Sequence, residues 1–69
     1  MAKDIIIYEC GLEIDGKYSE FCQSRNETDV DNYIKIMREC CYKGEIVKLK
    51  KHYSCICTTP LFREDIANG

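Results

Sequence analysis

The chain has 69 residues, a formal net charge of −2, six cysteines, two phenylalanines and no tryptophan. That length holds one domain with a modest core, and domains of this size usually add a staple of disulfides, a metal or a partner chain. The slight acidity speaks against nucleic-acid binding, which needs a strongly basic face, and no apolar run is long enough to span a membrane.

The start, "MAKDIIIYEC", is short and β-branched and predicts a strand. It lacks the long apolar stretch of a secretory signal. In a secreted protein a leader would already be gone. In a cytosolic one Met1 is the natural start and the case for disulfides weakens. "LEIDGKYSEFC" follows, with Asp15-Gly16 between Ile14 and Tyr18. Both central positions of a tight hairpin turn need positive φ, which Asp-Gly tolerates. Residues 4–22 therefore predict an opening hairpin, or an extended arm with a turn at Asp15-Gly16.

"SRNETD" is a polar connection. It contains the sequon Asn26-Glu27-Thr28, read as a chance triplet because Thr28 already has a use as a helix cap. Val30, Tyr33, Ile34, Met37 and Cys41 then recur at helical spacing, and Ile36 and Cys40 widen that face. Asp31 is expected to reach back to the cap, and Asp29 and Asp31 suit the positive end of the helix dipole. Lys43 and Gly44 are stop signals, so the helix is expected over Asp29 to Tyr42.

"EIVKLKKHYSCICTT" has period two on both sides of "LKKHY" and predicts a second hairpin turning near Lys50–His52. Pro60 is expected to end the strand. The tail, residues 60–69, is expected to dock through Leu61, Phe62 and Ile66 or to fray. The whole chain, 1–69, reads as one domain.

The cysteines are Cys10, Cys22, Cys40, Cys41, Cys55 and Cys57. Cys55 and Cys57 share one face of a strand. The adjacent Cys40 and Cys41 diverge by about 100° around a helix. One of them is then expected to reach the last strand and the other the first half of the chain. The set Cys10–Cys41, Cys22–Cys55 and Cys40–Cys57 meets that demand, although six cysteines allow many connectivities. A zinc site drawn from Cys40, Cys41, Cys55, Cys57 and His52 is an alternative, without the usual cysteine knuckles. Buried free thiols are another. The expected fold is a small disulfide-rich α+β domain, with one central helix packed on short antiparallel hairpins and three disulfides.

The order of two single cysteines, a CC pair and a closing C-x-C resembles the cysteine-rich venom peptides of arthropods, centipede toxins in particular, over Cys10 to Cys57. The resemblance implies a secreted peptide toxin.

Charge adds a surface to that reading. Residues 1–34 carry three basic and eight acidic side chains, and residues 35–52 carry six basic and two acidic. Lys48, Lys50, Lys51 and Tyr53 are the expected target-binding group, a lysine entering a cation pathway while the tyrosine packs beside it. The expected function is modulation of a membrane ion channel or receptor by a secreted monomer, with no cofactor, no nucleic-acid partner and no insertion into the membrane. The alternative is a secreted inhibitor or host-interaction protein docking through Leu61 and Phe62, or a defensin-like antimicrobial. Catalysis has no support: His52 is the lone histidine, Glu64-Asp65 falls in the tail, and no activated nucleophile or glycine-rich phosphate loop is present.

Overall fold

In the computed structural model, which describes residues 5–54 and 57–66, the opening hairpin forms around its Asp-Gly turn. Strand β1 spans Ile6–Ile14 and β2 spans Lys17–Ser24. Asp15 and Gly16 have φ of 53° and 80°, the positive pair whose twist matches the flanking strands. The register shifts between Cys10 and Gly11, where Phe21 has no partner and forms a bulge. Gly11 makes room for this. A Cβ there would lie 2.6 Å from the Tyr18 ring and nearer still to the Ser19 carbonyl, so only glycine lets the ring lie over the strand backbone.

Helix α1 spans Glu27–Cys40, two residues earlier at its start than expected. Its cap is Asn26 and not Thr28: the Asn26 side chain accepts from the Thr28 backbone N–H at 3.1 Å. The Ser24 hydroxyl accepts from the Asn26 N–H at 3.0 Å and donates to Asp29 at 2.9 Å, which ties the turn together. At the far end Cys41 is already extended, and its N–H closes the last turn on the Met37 carbonyl at 2.8 Å. The helix therefore does not reach Tyr42.

Strand β3 spans Glu45–His52 and β4 spans Cys57–Asp65. β3 pairs antiparallel with β1 from Ile6↔His52 to Glu13↔Glu45. That pairing merges the two hairpins into one sheet of order β2-β1-β3-β4. The second turn begins after His52, at Tyr53 and Ser54, later than expected; Cys55 and Ile56 lie outside the described residues. Pro60 does not end the strand. β4 is an edge, where a missing N–H costs no ladder bond, and a register shift opposite Leu49 eases the ring in.

The helix covers one face of this sheet. Cys10 and Leu12 of β1, Val30, Ile34 and Met37 of α1, and Ile46 of β3 form the buried cluster. Tyr8, Cys22, Tyr33 and Phe62 pack at its margin.

The α+β architecture with one helix on an antiparallel sheet stands, but the disulfide framework does not. Cys10, Cys22, Cys40 and Cys41 are free thiols. Each of the three expected bridges includes at least one of them, so none forms; Cys55 itself lies outside the described residues. The reason is geometric. Cys10 sits opposite Cys22 across the β1–β2 ladder. Cys40 lies on the exposed side of α1, which packs over β1 and β2. Cys57 begins β4, at the other edge of the sheet. The likeness to venom peptides rested on bridged sulfurs and falls with them. The staple in this chain is a continuous four-stranded ladder under a helix.

Candidate functional site

The lysine group does not converge. Side chains alternate along a strand, so Lys48 and Lys50 lie on the helix side of β3 and Lys51 on the open side. Lys48 is buried beneath α1, with Nζ 2.6 Å from both Glu27 and Asp31. Burial alone would pull its pKa down, but hydrogen bonds to Asp31 and Glu27 outweigh that and hold it above the ordinary lysine value. Lys51 is committed on the other face, with Nζ 2.7 Å from Glu9. Tyr53 is half-exposed beyond the end of β3. Leu61 is exposed, whereas Phe62 packs against the core.

The open face of the sheet is closed by polar bonding. Glu9 is only 1% exposed although no helix covers it. Tyr18 donates its hydroxyl to Glu9 at 2.6 Å, and the Gln23 amide donates at 2.8 Å. Burial pushes the Glu9 carboxyl up, but Lys51, Tyr18 and Gln23 outweigh it and hold it below the ordinary carboxylate range. Further along, Arg63 donates to Glu13 at 2.7 Å and to Glu45 at 3.3 Å. These groups satisfy one another and leave little for a ligand.

The flank of α1 above β2 is different. The bulge turns Phe21 toward the helix side, beside Cys22, instead of the open face that strict alternation would give it. Its ring meets Tyr33 edge-on at 6.3 Å and 84°. Tyr33, Ile36 and Cys40 share one helical stripe. Ile36 is 55% exposed and Phe21 41% exposed, and Cys40 is exposed beside them. Phe21 also walls a groove of about 400 Å³ on the same side of the hairpin, lined with Leu12, Ile14, Lys17 and Ser19. Aromatic rings, an aliphatic chain and an apolar groove offer area for docking rather than acid, base or metal-binding chemistry. Among the described residues no group of histidine, cysteine, aspartate or glutamate could hold a metal ion, and no helix is long and apolar enough to cross a membrane.

The sequence holds a signal for this flank. Tyr33, Ile36 and Cys40 form a second apolar stripe beside Val30, Ile34 and Met37, wider than one sheet face can cover. Phe21 carries no such signal, because its direction depends on the bulge.

No protein family model matches the chain, and no curated protein or solved structure matches it significantly.

Proposed function

We propose that this chain is a non-catalytic interaction module that docks on protein through the α1–β2 flank. One observation carries the reading. Among the described residues, seven large apolar side chains stay exposed against seven apolar residues in the core. Phe21 and Ile36 of the exposed set lie on one flank, joined through Tyr33. Scattered exposed apolar residues are ordinary, but a contiguous patch beside a groove marks an interaction surface. The Phe21 and Tyr33 rings already pack edge-on against each other, and aromatic side chains with two torsions lose little freedom on binding.

The channel-directed reading draws less support. It asks Lys48 and Lys51 to face a target, and both are held in internal ion pairs.

Selection of a displayed peptide library on the intact chain tests the proposal. Selected peptides should be rich in aromatic and aliphatic residues. They should lose at least about tenfold in affinity for Ile36→Lys, a loss typical of a central contact, and bind Leu61→Ser unchanged. Binders that ignore Ile36→Lys would place the surface elsewhere.

A further inference from the structure

We draw no further inference here: the strongest candidate, the exposed apolar flank of α1 above the edge strand β2, is the docking face already described, and nothing in the structure shows what covers it.

Discussion

Glu9 shows how much one residue can decide. Its carboxylate is buried at the centre of β1 on the face without a helix, and it is stable there because Tyr18, Gln23 and Lys51 converge on it. Glu9→Gln keeps the shape and removes the charge, so the Lys51 ammonium loses its partner. Loss of charged hydrogen bonds of this kind costs about 2 kcal/mol, read as a fall in the urea midpoint at neutral pH. The sign with pH follows from the depressed folded-state pKa. Stability from Glu9 is complete above the ordinary carboxylate value of 4.5 and is lost as pH falls through the lower folded value. In the glutamine variant that part of the acid destabilisation should vanish; an unchanged acid slope would show that Glu9 is not the group responsible. Nothing in "IIIYECGLEI" announces this network. An acidic residue in a strand reads as a solvent-facing position, and its partners come from β2 and β3, fixed only by strand register.

At the scale of elements, local chemistry was readable and tertiary placement was not. The Asp15-Gly16 turn, the helix and its buried face of Val30, Ile34 and Met37, and the alternation of β3 all follow from backbone preferences and periodicity. The start of the helix was misplaced because Asn26-Glu27-Thr28 offers two capping side chains and the structure uses the first, the stronger cap. Asn26→Ala should therefore cost about 1 kcal/mol, whereas Thr28→Ala should stay within about 0.5 kcal/mol. Thermal unfolding of the two variants separates the assignments, and the reverse order of stability would restore Thr28 as the cap. β4 was lost at Pro60 for another reason. Proline forbids a central strand and not an edge, and whether a strand is an edge depends on the order of the whole sheet.

For the molecule as a whole, the acidic first half and the basic stretch that follows it are two sides of one set of contacts. Glu9, Glu27 and Asp31 come from the first 34 residues and meet Lys51 and Lys48 from residues 35–52. Part of a charge asymmetry that reads as a surface along the chain is thus spent on contacts within the fold, and Lys48 and Lys51 point to opposite faces instead of forming one lysine surface. The thiols follow the same logic, since spacing suggested bridges and burial decides reactivity instead. Cys40 is exposed, Cys22 and Cys41 are half-buried, and Cys10 has no exposure at all. Burial, with Cys22, Glu9 and Asp31 near it, pushes the Cys10 thiol up to about 12. At neutral pH it therefore holds almost no thiolate, the form that reacts. Alkylation of the native chain by iodoacetamide, mapped by peptide mass, should modify Cys40 first, Cys22 and Cys41 more slowly, and Cys10 only on unfolding. Labelling of Cys10 as fast as Cys40 would mean that β1 is not covered by the helix, and recovery of these four cysteines in bridged peptides would return the chain to a disulfide scaffold.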